Sequence, residues 1–115
     1  MGRVNPLRGD VWLADFGQTA GHEQAGRRPA LVLSADTFNR GPAELVIALP
    51  LTSKVKKAAT HVPVGPAEDE LARPGFIKCE DIRSISTQRL LRRIGSVSSA
   101  TMEAVELLVR VLLGL

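Results

Sequence analysis

A chain of 115 residues with 44% apolar content is long enough to bury a core and is expected to fold as one domain over residues 1–115. A single cysteine, Cys79, excludes an internal disulfide framework, and the absence of a signal-peptide pattern or a membrane-length apolar run points to a cytoplasmic protein. With a net charge of +3, only 3% aromatic residues and no tyrosine, the composition argues against a base-stacking sheet that needs ring platforms.

Residues 1–7 carry no periodicity and read as a loose end, and Pro6 stands where a myristoylation motif needs Ser or Thr. From Val11 to Phe16 apolar residues on alternate faces predict a strand, with Val11 and Leu13 on one side and Trp12 and Ala14 on the other. Gly17 to Arg28 is a glycine-punctuated loop, expected to be mobile on its own. Pro29 to Ser34 is a continuous apolar strand covered on both faces, and Pro29 holds Arg28 extended at its mouth. Asp36 to Asn39 reads as a turn or a single helical turn before the Gly41-Pro42 breaker.

Leu45 to Leu49 is a second central strand, ending at Pro50 and Thr52, and Ser53 to Thr60 is a basic loop. His61 to Val64 is strand-like, but Pro63 confines it to an edge or a bulge. An acidic connection from Gly65 to Gly75, with Glu68, Asp69 and Glu70, leads to short strands at Gly75–Cys79 and Ile82–Ile85, then a last one at Leu90–Ile94. Ser98 or Ser99 caps a helix reaching about Leu113. Its stripe of Met102, Val105, Leu108, Val109, Leu112 and Leu113 is widened by Leu107 and Val111. Two readings follow: the helix is buried against both the sheet and a second subunit, or it is tucked deep in its own core. The element pattern is mainly β with a C-terminal helix, a small, strongly bent antiparallel barrel of SH3-like scale.

The cations gather at Arg27-Arg28, at Lys54 with Lys56-Lys57, and at Arg89 with Arg92-Arg93, which fits either a polyanion-binding face or a solvated surface. His22, His61 and Cys79 lack metal-ligand spacing, so neither metal nor cofactor is expected. The glycines at 21 and 26 precede Arg-Arg and a strand, which is not a phosphate loop, and no serine sits in an elbow motif. An arginine at the start of one central strand and a hydroxyl at the end of the next would together suit a phosphate. Arg28 and Thr52 also have ordinary readings, as a surface cation and a turn residue. Tight antiparallel pairing is expected to set these two strand ends apart, and a crossover through residues 35–44 to bring them to one rim.

The run Arg-Gly-Asp-Val-Trp at 8–12, then Gly-His-Glu-Gln-Ala-Gly-Arg-Arg-Pro at 21–29, then Leu-Val-Leu-Ser at 31–34 and Phe-Asn at 38–39, resembles the MazF/PemK family of toxin endoribonucleases. The likeness continues through Pro50-Leu-Thr-Ser53, Ile77-Lys-Cys-Glu-Asp-Ile-Arg83, Arg89-Leu90 and Ile94-Gly95. It implies a homodimer of SH3-like barrels that cleaves single-stranded RNA at short sequences without metal, the 2′-hydroxyl attacking the adjacent phosphate. The family's catalytic arginine before proline falls on Arg28, its strand-end threonine on Thr52, and a histidine used by some members on His22. RNA contacts are expected from Glu23, Gln24, Arg27, Ser53, Lys54, Lys56, Lys57, Lys78 and Glu80. Glu80 stands where Asp is usual and Asp81 where Gln is frequent, departures that count against acid–base work there and toward altered base preference. A cognate antitoxin is the implied protein partner, with an acidic segment that would occupy the basic groove.

Two other readings use the same fold. A gyrase-inhibiting toxin carries a tryptophan at its terminal helix tip, whereas this chain ends Leu113-Gly-Leu115 and has Trp12 as its only tryptophan. A bare SH3-like binding module would need no pairing of Arg28 with Thr52.

Overall fold

The computed structural model describes residues 4–18, 20–21, 24–54, 58–65 and 75–115. Period-two alternation makes β1 (Asp10–Asp15), which turns Val11 to one apolar cluster and Trp12 and Ala14 to another. In β2 (Arg27–Val32), Leu31 joins the Val11 cluster while Ala30 and Val32 join that of Trp12. Both faces are covered, as its unbroken apolar run implies. The strand starts before Pro29 because Arg27 and Arg28 still pair with Asp15 and Ala14 of β1.

Asp36–Asn39 forms a single helical turn, α1. The strands β3 (Leu45–Thr52), β4 (His61–Val64), β5 (Gly75–Lys78), β6 (Arg83–Ser86) and β7 (Leu90–Ser96) follow. Among the described residues the order is β4-β5-β3-β2-β1-β7, with β6 beside β3. The free edge of β3 is divided: Leu45–Ala48 pair with β6, and Leu51–Thr52 pair with β5. That change of partner bends the sheet into the barrel-like form expected, though its ends do not close on each other. β4 lies at the edge, where the missing N–H of Pro63 does least harm.

One expectation is overturned. β2 and β3 do pair antiparallel, through Ala30–Pro50, Leu31–Leu49 and Val32–Ala48, yet this joins the two strand ends on one rim. In an antiparallel pair the entry of one strand lies beside the exit of the other. The same register carried outward sets Arg28 level with Thr52, and no crossover is needed.

The N-terminal stretch is also less loose than its composition suggests. Pro6 is fully buried, its carbonyl accepts from Asn39 Nδ2 at 3.3 Å, and the Leu7 N–H donates to Asp10 Oδ2 at 2.9 Å. The Arg8 side chain reaches the Leu33 carbonyl and the Glu106 carboxylate.

The second helix, α2 (Ser99–Leu113), opens on Ser98, whose Oγ accepts from the Thr101 N–H at 3.2 Å. It ends at Gly114, whose φ of 71° lies in the left-handed region that glycine adopts without strain. Val105 and Val109 enter the Val11 cluster, and Met102 and Leu108 pack beside them. Leu107 and Val111 remain 64% and 70% exposed, and Leu112, Leu113 and Leu115 are exposed with them. The helix is therefore not tucked deep in its own core. No helix among the described residues is long and apolar enough to cross a membrane.

Candidate active site

The loop after β1 has a closed neck. The Phe16 N–H donates to the Gly26 carbonyl at 2.9 Å and the Gly26 N–H to the Gly17 carbonyl at 2.8 Å. Gly17 and Gly26 have φ of 66° and 76°, which a side chain would strain. Past the neck, Gln24 is held by its main chain: its N–H donates to Asp81 Oδ2 at 2.8 Å and its carbonyl accepts from Arg83 Nη2 at 2.7 Å. Next to it, the Ala25 carbonyl accepts from Arg28 Nε at 2.8 Å. The described part of the loop is thus anchored, not free.

Across the rim, Thr52 is buried at the end of β3, and its Oγ1 accepts from the Lys54 N–H at 3.2 Å. The ordinary turn reading of Thr52 and its place at the site hold together, because that bond turns the chain into the basic loop. On the other side, β4 and β5 set His61 opposite Lys78. Lys78 is buried, with Nζ 3.9 Å from Asp81 Oδ2. Residues Cys79–Asp81 then form one turn of 3-10 helix that presents Glu80.

These segments enclose a cleft of about 490 Å³ lined by Gly21, Gln24, Ala25, Arg28, Thr52, Lys54, Ala58, His61, Lys78 and Glu80. Of the candidate site residues, Arg28, Thr52, Gln24, Lys54, Lys78 and Glu80 come together around this cleft. Arg27 and Ser53 are exposed and do not line the cleft. His22, Glu23, Lys56 and Lys57 lie outside the described residues, as do Glu68, Asp69 and Glu70.

Glu80 accepts from Thr60 Oγ1 at 3.0 Å and lies 3.1 Å from His61 Nε2. Burial pushes its carboxyl up, but its own main-chain N–H, His61 and Thr60 together outweigh burial and hold it below its ordinary value of 4.5. Cys79 is pushed up to about 11, first by burial and then by the Glu80 carboxylate, so the thiol is a core group with no nucleophilic role. Among the described residues no three His, Cys, Asp or Glu side chains gather to hold a metal ion.

Sequence reasoning weighs His61 only as a metal ligand, reads Asp81 only as a departure from the family's run, and gives Arg83 no site role. In the run His-Val-Pro-Val, buried Val62 and Val64 alternate with His61 and Pro63, which signals that His61 faces away from the core. For Asp81 and Arg83 the family-like run gave a place but not the contact, since the loop they hold is far away in sequence.

A bent antiparallel sheet with a strand-borne arginine, a buried threonine and two lysines at one rim defines a small β protein with a cation-bearing cleft. Residues 7–113 match the model of the PemK-like, MazF-like toxins of type II toxin-antitoxin systems, and the chain belongs to that family. It is 33% identical over 110 residues to an endoribonuclease MazF of Staphylococcus saprophyticus, covering 94% of this chain and 91% of the relative. The crystal structure of MazF from Deinococcus radiodurans superposes with a TM-score of 0.85 at 31% identity, over 97% of this chain and 99% of that one. A mycobacterial endoribonuclease in complex with its cognate antitoxin superposes at 0.76 with 29% identity, over 96% and 95% of the two chains.

Proposed function

We propose that this toxin is a metal-independent endoribonuclease acting on single-stranded RNA in the cytoplasm. The 2′-hydroxyl of the RNA attacks the adjacent phosphorus, and the bond from phosphorus to the 5′-oxygen of the next nucleotide breaks. One fragment keeps a cyclic phosphate. The other takes a proton and leaves with a 5′-hydroxyl.

The observation that carries this reading is the convergence of Arg28 and Thr52 from adjoining strands on one cation-lined cleft. Arg28 has only Nε engaged among the described residues, which leaves both terminal nitrogens for two phosphate oxygens. Thr52 donates its hydroxyl proton to the same phosphate, and Lys54 and Lys78 add charge. Glu80, held ionised, is a weak base and serves better as an acceptor for the amino edge of a nucleobase. Removal of the 2′-hydroxyl proton is assigned to His22, since imidazole is the side chain suited to take up and return a proton in such a step. Arg27, Ser53, Lys56 and Lys57 follow the backbone outside the cleft, and Glu23 and Gln24 contact the RNA from the loop.

Single-turnover cleavage of a short RNA in EDTA tests the reading. Wild type should cleave, and Arg28→Lys should lose about two orders of magnitude while still binding the same RNA with a deoxyribose at the scissile step. Full activity in folded Arg28→Lys would remove the two-oxygen grip. A gyrase-inhibitor role is not favoured, because α2 ends at Gly114 without a tryptophan.

Two partners belong to the proposal. A second copy covers the exposed Leu107, Val111 and Leu112 face of α2, so sedimentation should give a dimer at micromolar concentration. A monomer of full activity would refute it. An acidic antitoxin segment enters the cleft and competes with RNA for Arg28 and the lysines.

A further inference from the structure

Arg28 is not held by a group that the proposed reaction names. Its Nε donates to the Ala25 carbonyl, and the residue before Ala25 is the one whose N–H and carbonyl are both bound from across the cleft. We infer that Asp81 and Arg83 are positioning residues for Arg28, acting through the main chain of Gln24 and Ala25; this rests on the endoribonuclease reading above.

The clamp is a closed ring of charge-assisted bonds. Arg83 Nη2 donates to Asp81 Oδ2 at 2.9 Å and to the Gln24 carbonyl at 2.7 Å, while the same Asp81 oxygen takes the Gln24 N–H at 2.8 Å. Asp81 and Arg83 are largely shielded from water, where such bonds hold geometry best. The Arg83 guanidinium also lies 4.4 Å above the Phe16 ring, and Phe16 forms the neck of the same loop. Among the described residues the buried Arg83 Nε has no hydrogen-bond partner, a cost accepted for this placement. Both ends of the described loop are thus fixed to one side chain.

Without the clamp, the Ala25–Gly26 peptide keeps only the neck bond from its Gly26 N–H to the Gly17 carbonyl, and the Arg28 fork loses the hold on the Gln24 side that completes its direction. The loss should appear in the chemical step more than in binding, because misplacing a charge donor by about 1 Å is felt mainly in the transition state.

The test is single-turnover cleavage by the full chain, with binding of the deoxyribose-substituted RNA measured beside it. Asp81→Asn should lower the cleavage rate between about 10- and 100-fold and change analogue affinity less than about threefold. Made in an Arg28→Lys background, the same change should have no further effect. Arg83→Gln frees the Gln24 carbonyl while leaving Asp81, and should repeat both results if Asp81→Asn folds poorly. Equal losses with and without Arg28 would overturn the inference, as would wild-type rates in either clamp variant. Failure of wild type itself to cleave RNA would instead strike the reading beneath it.

Discussion

Asp10 and Asp81 are both shielded carboxylates that accept a main-chain N–H and an arginine, yet they hold different things. Asp10 takes the Leu7 N–H, the Trp12 indole N–H at 3.2 Å and Arg93 Nε at 3.1 Å, all around the entry to β1. Asp81 takes the Gln24 N–H and Arg83, with Lys78 nearby, and holds a loop over the cleft. Around Asp10 every tied segment belongs to the frame of the sheet. Around Asp81 one tied segment carries Arg28. The same chemistry therefore serves stability in one place and reactivity in the other, and what decides is the cargo of the bound strand.

The largest expected effect lies on the frame side. Asp10→Ala strands the buried indole and the Leu7 N–H, while the half-exposed Arg93 finds water again. It should cost about 2–4 kcal/mol and lower the melting temperature by about 10 °C or more, with the cleavage rate per folded molecule unchanged. Calorimetry and active-site titration check this, and a rate loss without a stability loss would erase the contrast with Asp81.

Next comes Cys79, which lies beneath the cleft turn. Its folded-state pKa is raised, so its contribution is intact below the ordinary thiol value of 9.0 and is lost as pH climbs toward about 11. Denaturant unfolding should show roughly 2–3 kcal/mol lost over that interval, absent in Cys79→Ala. If the loss persists in Cys79→Ala, another group titrates.

Smallest is Glu80 on the same turn. Its pKa is lowered, so it stabilises the fold above 4.5 and stops doing so as pH falls through its folded value. The partly exposed side chain keeps this modest, and Glu80→Gln should flatten only the acid limb of the stability curve.

Much of this was legible in the sequence. Period-two alternation gave β1, a continuous apolar run gave the double-faced β2, Pro63 gave an edge or a bulge, and Ser98 or Ser99 opened a helix reaching about Leu113. Local pattern sufficed because each of those features is decided within a few residues. The clamp was not legible, since Gln24 meets Asp81 only after β3, β5 and β6 have chosen partners. His61 was weighed only as a metal ligand, because its place at the cleft depends on a register with Lys78 that no residue beside it encodes. The rim was misjudged for a simpler reason, the sense in which antiparallel neighbours place their ends.

The pairing of Asp10 with Ser96 makes the last strand a flank of the first. A ribosome delivers β1 well before β7 and α2, although Val105 shares one cluster with Val11. Until β7 and α2 have been made, β1 has an open edge and that cluster lacks its helical cover. Such distant pairing is slow to form and leaves the growing chain without a finished cleft. Nascent chains stalled after Ser86 are therefore expected to leave RNA uncut, where the chain extended through α2 and released should cleave it.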